Sequence, residues 1–438
     1  MKGKKQKLAG IILIAFIIFW SIYTHFNDVE SLTDVEEESY TGIIKIYDYP
    51  RLDVENGSRY SWIQGKIKAF ERKNPGVYIE FTPLDWKSGP QLISESMKGD
   101  DGPDIIPISY KFDDFEKLEV LDEYFSKEEL DEFRDEALKA TTYDDKLIGI
   151  PFAMNTYVMY LNLDLFNERG VSPPHDGNWT YEEFVETLKS LTFDFDGDGL
   201  IDHYGFVSFV EPNYYNIWGL ILGDGADILD CKRENYSFYG EEAVKGIDRV
   251  LDLKYKYEVT PEFFGIIGEE ECWEMFSIDK NVAVYPTGSW AVKALFDLQN
   301  NGEGFNFDVA NYPSGDEKTP RVLTSSIASF GIVKDEDIKK TEMCVKFLKF
   351  LMGESNQRTL EKLGLFSVKK GIDNMYMDNF RMKKIESSLD HVVVLPKEKN
   401  WEKIDVILQE ELKKAILKEK SSKEAIEDAK KRVEELTR

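Results

Sequence analysis

Residues 146–170, KLIGIPFAMNTYVMYLNLDLFNERG, constrain more than any other stretch what this chain can fold into. A buried β-run, Leu147–Pro151, ends at a proline, and a short polar break follows at Asn155-Thr156. A second apolar run, Tyr157–Leu161, leads into a helix that opens at Asp164. Two strands joined with no turn cluster between them favour a chain that leaves one sheet and enters another. The stretch therefore predicts a crossing between two lobes.

The length and composition of the chain agree with two lobes. Its 438 residues exceed the ~150 residues of one domain, and 42% hydrophobic and 13% aromatic content is enough to bury sizeable cores. With 55 basic and 82 acidic residues the net charge is −27, which argues against nucleic acid or anionic lipid as a partner. Three widely spaced cysteines (Cys231, Cys272 and Cys344) and four scattered histidines suggest neither a disulfide framework nor a histidine-rich metal cluster.

The first 26 residues have the pattern of an export signal. A lysine-rich start precedes an almost wholly apolar run, Leu8–Tyr23. No small-x-small cleavage site and no lipid-accepting cysteine follows, which favours an uncleaved signal anchor with its basic end inside; a cleaved signal peptide is the alternative. Residues 27–40 form a predicted polar tether. We expect a protein anchored on the extracytoplasmic face of the cytoplasmic membrane, or a secreted protein if the signal is cleaved.

Strands and helices alternate from Thr41 onward, which predicts α/β lobes with doubly wound, mostly parallel sheets. The strands are predicted at 42–47, 77–81, 105–108, 281–285, 307–311 and 326–333, with Pro286 ending the fourth. The helices are predicted at 61–73, 91–98, 240–254, 270–277 and 289–300, and also after the capping pair Thr180 and Glu183. The last hundred residues are mostly helical, and Ser421 with Glu424 caps the final helix.

Several short motifs follow one another in a fixed order after residue 40. They are FERKNPGVYIEF (70–81), GDDGPDIIPIS (99–109), DDKLIGIPFAMNTYVMYLNLDLF (144–166), TYEEF (180–184), VAVYPTGSW (282–290), KFLKFL (346–351) and SSKEAIEDAKKRVEEL (421–436). In this order and spacing they resemble the extracellular solute-binding proteins, family 1, of carbohydrate ABC importers, the group that includes maltose-binding protein. The resemblance covers nearly the whole chain after residue 40.

The resemblance implies a two-lobed, periplasmic-binding-protein-like fold of type II that closes on its ligand. The ligand cleft is expected at the carboxyl ends of strands. Crossovers between lobes are expected near Phe152–Thr156, Tyr285–Gly288 and Ser325–Ser329. The predicted lobes are discontinuous: residues 41–153 and 287–327 form lobe 1, and residues 154–286 and 328–438 form lobe 2.

The resemblance also implies which side chains reach the ligand. Sugars offer flat C–H faces to aromatic planes, and hydroxyl groups to planar amides and carboxylates. The predicted ligand contacts are Trp290, Asn155, Tyr215, Tyr110, Trp218, Trp86 and Trp401. For Trp290, and for the pair Tyr215 and Trp218, the alternative is a position in a packed core.

An acidic loop, DFDGDGLID (194–202), has the spacing of a calcium site. Its predicted ligands are the carboxylates of Asp194, Asp196, Asp198 and Asp202 and the backbone carbonyl of Leu200. Four carboxylates this close repel one another without a cation, so a structural Ca²⁺ is expected here. The twelfth position is a glycine rather than a glutamate, so one ligand must come from elsewhere, and the alternative is an unoccupied Asp/Gly turn.

The leading functional hypothesis is a monomeric, membrane-tethered binding protein that captures an oligosaccharide and delivers it to the permease of an ABC importer. Such a protein is not an enzyme and does not bind nucleic acid. The first rival is a glycosidase, whose carboxylate pair would face one cleft about 5–10 Å apart. The second rival is an accessory protein that presents bound ligand to a membrane sensor kinase. The sequence leaves open which sugar is bound, and whether the ligand is instead a peptide or another polar solute.

Overall fold

The computed structural model of the protein describes residues 40–99, 101–230, 235–315, 319–324, 327–395 and 397–437. The predicted signal segment, and the predicted tether up to residue 39, lie outside these residues. Within the described part, no helix is both long and apolar enough to cross a bilayer. Residues 43–438 form one structural unit.

Fifteen strands and fifteen α-helices make up the described part of this unit. The strands are β1 Gly42–Asp48, β2 Val77–Pro83, β3 Ile105–Pro107, β4 Thr142–Tyr143, β5 Lys146–Leu147, β6 Ile150–Met154, β7 Tyr157–Asn162, β8 Tyr204–Phe206, β9 Leu229–Asp230, β10 Asn235–Tyr236, β11 Val282–Gly288, β12 Phe307–Ala310, β13 Val322–Thr324, β14 Ile327–Ile332 and β15 Val392–Val394. The helices are α1 Ser61–Lys73, α2 Gly89–Ser96, α3 Lys127–Asp131, α4 Asp135–Lys139, α5 Leu163–Arg169, α6 Tyr181–Ser190, α7 Trp218–Ile221, α8 Glu241–Tyr255, α9 Glu269–Ser277, α10 Trp290–Asn300, α11 Ile338–Met352, α12 Glu354–Gln357, α13 Phe380–Ser388, α14 Trp401–Ile416 and α15 Ser422–Leu436. Short 3₁₀ turns lie at Phe115–Lys117, Asp122–Tyr124, His175–Gly177, Arg358–Leu363 and Leu389–His391.

Two separate sheets form the centres of two lobes. The lobe 1 sheet has the strand order β2-β1-β3-β14-β6, and the lobe 2 sheet has the order β12-β7-β11-β8. Strands β6 and β7 belong to different sheets, although only Asn155 and Thr156 separate them. The crossing predicted from residues 146–170 is therefore confirmed, as is the two-lobed α/β fold.

The strand directions are more mixed than predicted. In lobe 1, β1 and β3 are parallel, but β14 runs antiparallel to both β3 and β6. In lobe 2, β7 runs antiparallel to β11 and β12, and β8 is parallel to β11. The prediction of mostly parallel sheets was wrong, because β14 in lobe 1 and β7 in lobe 2 each run antiparallel to both of their neighbours.

The strand pairing also corrects the predicted lobe boundaries. Strand β12, within the segment 287–327 assigned to lobe 1, pairs with β7 of lobe 2. Strand β14, at the start of the segment 328–438 assigned to lobe 2, pairs with β3 and β6 of lobe 1, and α11 packs on it. The predicted crossover at Tyr285–Gly288 lies inside β11, whose backbone is paired with β7 up to Gly288. The chain instead returns to lobe 1 between β12 and β14 and re-enters lobe 2 before α13, which contacts β7 and β12.

Both lobes are held by apolar helix faces on these sheets. Helix α1 buries Trp62, Ile63, Ile67 and Phe70 on one side, the spacing expected of an amphipathic helix. In lobe 2, α8, α14 and α15 pack on one another around a large buried cluster. The predicted capping boxes at Thr180 with Glu183 and at Ser421 with Glu424 are confirmed.

Candidate functional site

A cavity of about 370 Å³ lies between the two lobes. Lobe 1 lines it with residues that follow β1, β2 and β3, the crossing segments line its floor, and lobe 2 lines it with Tyr215 and the segment that leads into α14. Carboxyl ends of strands are where an α/β sheet leaves backbone and side-chain groups free to face a ligand. Five of the seven predicted ligand contacts line this cavity: Trp86, Tyr110, Asn155, Tyr215 and Trp401.

An aromatic platform forms the lobe 1 side of the cavity. Trp86 stacks on Tyr49 with ring centroids 4.2 Å apart and planes 3° from parallel. Tyr49 is buried, whereas Trp86 is 54% exposed. A large exposed ring that is held flat by a buried one can cover the apolar face of a sugar with little loss of side-chain entropy.

A buried polar network fixes the lobe 2 side. Trp401 Nε1 donates to Tyr215 Oη at 3.1 Å, and both side chains are almost fully buried. Behind them, Asp405 accepts hydrogen bonds from the backbone N–H of Asn213 at 2.6 Å and from Gln409 Nε2 at 3.2 Å. Burial raises the pKa of Asp405 to about 6. The network holds Tyr215 and Trp401 in one orientation against the cavity.

Asn155 occupies the crossing between the lobes. Its Oδ1 accepts from the backbone N–H of Thr156 at 2.8 Å, and its carbonyl oxygen accepts from Thr324 Oγ1 at 3.4 Å. The side chain is partly buried and lines both the main cavity and a second, smaller crevice.

The second crevice, of about 80 Å³, contains Trp290. This ring is 45% exposed, and its centroid lies 4.7 Å from that of Trp273. Tyr214 Oη donates to Glu269 Oε2 at 2.9 Å, and both of these residues also line the crevice. Trp290 therefore faces a different recess from the other predicted contacts, and Asn155 connects the two recesses.

Trp218, by contrast, lies away from both recesses. It is 1% exposed, its Nε1 donates to Gln409 Oε1 at 3.3 Å, and its ring packs edge-on against Phe238. The prediction of a ligand contact at Trp218 was therefore wrong, and the alternative of a packed core position applies. Residue 218 begins the buried turn α7 beneath the cavity wall, so its ring is directed into the lobe 2 core.

Tyr49, Arg51 and Lys397 are among the cavity residues that the sequence analysis missed. Tyr49 and Arg51 follow the end of β1, and Lys397 follows β15. The rule that ligand residues follow the carboxyl ends of strands would have selected Tyr49 and Arg51. No comparable signal marks Lys397, because β15 pairs only with β13, far away in the sequence.

The acidic loop brings together three of its predicted metal ligands. Carboxylate oxygens of Asp194, Asp196 and Asp202 lie within 4.8 Å of one another. Asp194 also accepts from the backbone N–H groups of Gly197 and Gly199, both at 2.7 Å. A hydrogen bond with His203 lowers the pKa of Asp202. Oxygen ligands gathered on a short loop suit a hard cation such as Ca²⁺; Asp198 instead caps the backbone N–H of Leu200 at 2.8 Å.

The fold and the cavity together define a two-lobed binding protein with its ligand site between the lobes. The family model of the bacterial extracellular solute-binding proteins matches residues 55–358, more than half of the chain. The chain therefore belongs to this family, as the motif order predicted. Its description as extracellular agrees with a location outside the cytoplasm.

Individual relatives share part of the sequence, and a solved structure shares the fold. A binding protein of Brucella abortus is 31% identical over 116 residues, which are 26% of this chain and 28% of that protein. The galactooligosaccharide-binding protein of Bacillus subtilis is 25% identical over 239 residues, 52% of this chain and 50% of that protein. The chain thus spans half or less of the length of these curated relatives. The crystal structure of the cyclic α-maltosyl-1,6-maltose binding protein of Arthrobacter globiformis has a TM-score of 0.74 at 15% identity, with 90% of this chain and 98% of that chain covered.

Proposed function

We propose that this protein captures an oligosaccharide outside the cytoplasm and delivers it to the permease of an ABC importer. The observation that carries the proposal is the inter-lobe cavity, where an aromatic platform of one lobe faces an aromatic and polar wall of the other. The family membership and the sugar-binding descriptions of the Bacillus subtilis and Arthrobacter globiformis proteins support a sugar rather than another polar solute.

The proposed mechanism is closure of the lobes on the ligand. A sugar ring that stacks on Trp86 reaches Tyr215 and Trp401 only when lobe 2 is close. Contacts to both lobes at once favour the closed arrangement by the difference in binding free energy between the two arrangements. Three chain segments cross between the lobes, so the motion is a hinge rather than a separation.

Binding without hydrolysis is supported by the charged residues of the cavity. Glycosidases need two carboxylates that face one cleft. Of the described residues that line the main cavity, Glu398 is the one carboxylate, and its neighbours there are aromatic, amide, hydroxyl and basic groups. We therefore place the protein among binding proteins and not among enzymes.

The test is calorimetric titration of residues 27–438 with a panel of oligosaccharides, using Trp86→Ala and the matched variant Tyr78→Ala. Trp86 and Tyr78 are both exposed aromatics on lobe 1, but Tyr78 does not line the cavity. Loss of a stacking ring is expected to cost about 2 kcal/mol or more of binding free energy, roughly 30-fold in Kd. Equal affinities of the two variants for every sugar that binds would contradict the proposed site.

We further propose that the loop 194–202 binds a structural Ca²⁺. The converging oxygens of Asp194, Asp196 and Asp202 support it, with the Leu200 carbonyl as an additional ligand. The ion would neutralise carboxylates that otherwise repel one another, and so stabilise the start of β8.

The N-terminal segment is proposed to anchor the protein to the outer face of the cytoplasmic membrane. Its basic start, apolar run and missing cleavage site support an uncleaved signal. An anchored binding protein would stay near its permease, whereas a sensor accessory role would need the same anchor beside a kinase. Permease or kinase genes next to this gene would separate these two roles.

A further inference from the structure

Lys397 places an ammonium group in the inter-lobe cavity, where Glu398 is the one carboxylate among the described lining residues. Its Nζ donates to the backbone carbonyl of Ile108 at 3.2 Å, and the side chain is partly buried. Among the residues that the structure describes, Lys397 forms no ion pair. The neighbouring Lys399, in contrast, pairs with Glu116 at 3.2 Å.

Arg51 adds a second cationic group to the lobe 1 side of the same cavity. Its Nη1 binds both oxygens of the buried Asp48, at 2.7 and 2.6 Å. In the described part of the chain, Nε and Nη2 make no hydrogen bond, so this guanidinium keeps donors for a ligand. Asp48 therefore compensates the charge of Arg51.

Partial burial of a cation without an ion-pair partner is unfavourable, because water no longer fully solvates the charge. Burial lowers the pKa of Lys397 to about 8, so the group is still mainly protonated at neutral pH. The chain carries a net charge of −27, yet among the described residues no carboxylate forms an ion pair with this ammonium. An anionic group supplied by the ligand would restore the balance and gain a charge-assisted hydrogen bond.

We propose that the cleft is selective for an acidic sugar, whose carboxylate is bound by Lys397 Nζ with Arg51 donating to the neighbouring hydroxyl groups. This inference rests on the proposed sugar-binding function and specifies its substrate class as short oligosaccharides that contain a uronic acid. The cavity volume of about 370 Å³ is at the lower end of the roughly 300–1,000 Å³ of ligand pockets, which fits a short ligand.

The test compares uronate di- and trisaccharides with their methyl esters, which keep the shape and remove the charge. Glucuronate, galacturonate, mannuronate and guluronate forms are titrated calorimetrically into wild type, Lys397→Met and the matched control Lys399→Met. Methionine retains most of the length of the lysine side chain and removes its charge together with its hydrogen bond to the Ile108 carbonyl. Thermal unfolding of each free variant is measured alongside, so that a loss of fold is recognised as such.

We expect wild type and Lys399→Met to prefer the best acid over its ester by about tenfold or more, the value of a hydrogen bond to a charged group. Lys397→Met is expected to bind acid and ester about equally while keeping its affinity for the ester. Equal affinities in wild type, or a preference that survives in Lys397→Met, would overturn the inference and leave sugar binding intact. If no glycan binds, acidic or neutral, the proposed function itself fails and the inference fails with it.

Discussion

Asp405 shows how a single residue behind the cavity wall can tie stability to pH. The carboxyl is buried and has a pKa of about 6, raised mainly by loss of water, above the ~3.9 of an unfolded chain. Because the folded state binds this proton more tightly, the stabilising contribution is fully present below about pH 4. It is lost as the pH rises through about 6, and amounts to roughly 2–3 kcal/mol.

We therefore expect Asp405→Asn to change the pH dependence of unfolding. Asparagine keeps an acceptor for the Asn213 N–H but cannot ionise. The free energy of unfolding of the variant should therefore rise relative to that of wild type as the pH is raised from 4 to 7. Urea unfolding at several pH values measures the difference in unfolding free energy between the variant and wild type. The contributions of the other carboxyl groups are common to both proteins and cancel in this difference. A difference that stays constant over this range would show that Asp405 is not the titrating group.

A second prediction concerns the side chain of Trp290. Its exposed ring lines the second crevice, so Trp290→Ala should weaken binding of ligands long enough to pass Asn155, by about 2–4 kcal/mol, and leave the fold intact. Shorter ligands should bind unchanged. The measurement is titration with a series of increasing chain length.

Trp62→Ala is the control for Trp290→Ala. Trp62 is buried, donates to Thr359 Oγ1 at 3.0 Å and stacks on Phe152, so its loss should cost about 3–5 kcal/mol of stability while the folded fraction binds normally. If Trp290→Ala unfolds the protein and spares the affinity of the folded part for long ligands, Trp290 is a core residue.

Only some residues of the candidate site could be predicted from the sequence. Aromatic residues next to strand ends, such as Trp86 and Tyr110, were predicted as ligand contacts, and both line the main cavity. Lys397 was missed because nothing local distinguishes it from the exposed lysines around it. Trp218 was misplaced because the direction of a ring on a short helix depends on packing against distant residues such as Gln409.

Among the secondary-structure elements, two prolines show that the point at which a strand ends depends on its position in the sheet. Pro151 and Pro286 were predicted to end strands, yet both lie inside them, in β6 and β11. Strand β6 is at the edge of its sheet, and β11 pairs with β8 only at Val282 and Val284, so that Pro286 faces a partner on one side. A proline is tolerated where no neighbouring strand needs its missing N–H. The local sequence therefore predicted that each of these segments is a strand. The residue at which the strand ends depended on the neighbouring strands of the sheet.

The acidic loop before β8 is predicted to make the stability of the protein depend on Ca²⁺. Added Ca²⁺ should raise the melting temperature and EDTA should lower it, because an ion that binds only the folded state at 100 times its Kd adds about 2.7 kcal/mol. Asp196→Ala should abolish the response by removing one of the three converging carboxylates.

The control for Asp196→Ala is Asp297→Ala, which removes an exposed carboxylate paired with Lys293 on α10. This variant should respond to Ca²⁺ as wild type does. An unchanged melting temperature in wild type, with and without Ca²⁺, would mean that the loop is an Asp/Gly turn.

For the whole molecule, the order of elements was predictable but their distribution between lobes was not. Amphipathic periodicity and caps gave helices such as α1 and α15 directly. Which lobe receives β12 and β14 depends on pairing between strands more than 100 residues apart, and no local pattern encodes it. The lobes also meet through an ion pair between Lys111 and Glu402 at 3.3 Å, beyond the reach of sequence patterns.

The position of β14 has a consequence for how the chain is made. In the lobe 1 sheet this strand lies between β3 and β6, although it follows them by more than 170 residues. The N-terminal lobe therefore cannot complete its sheet until about three quarters of the polypeptide has emerged, and pairing over such distances is slow. During that interval lobe 1 remains incompletely folded. An incompletely folded chain is the form that a membrane translocation channel accepts.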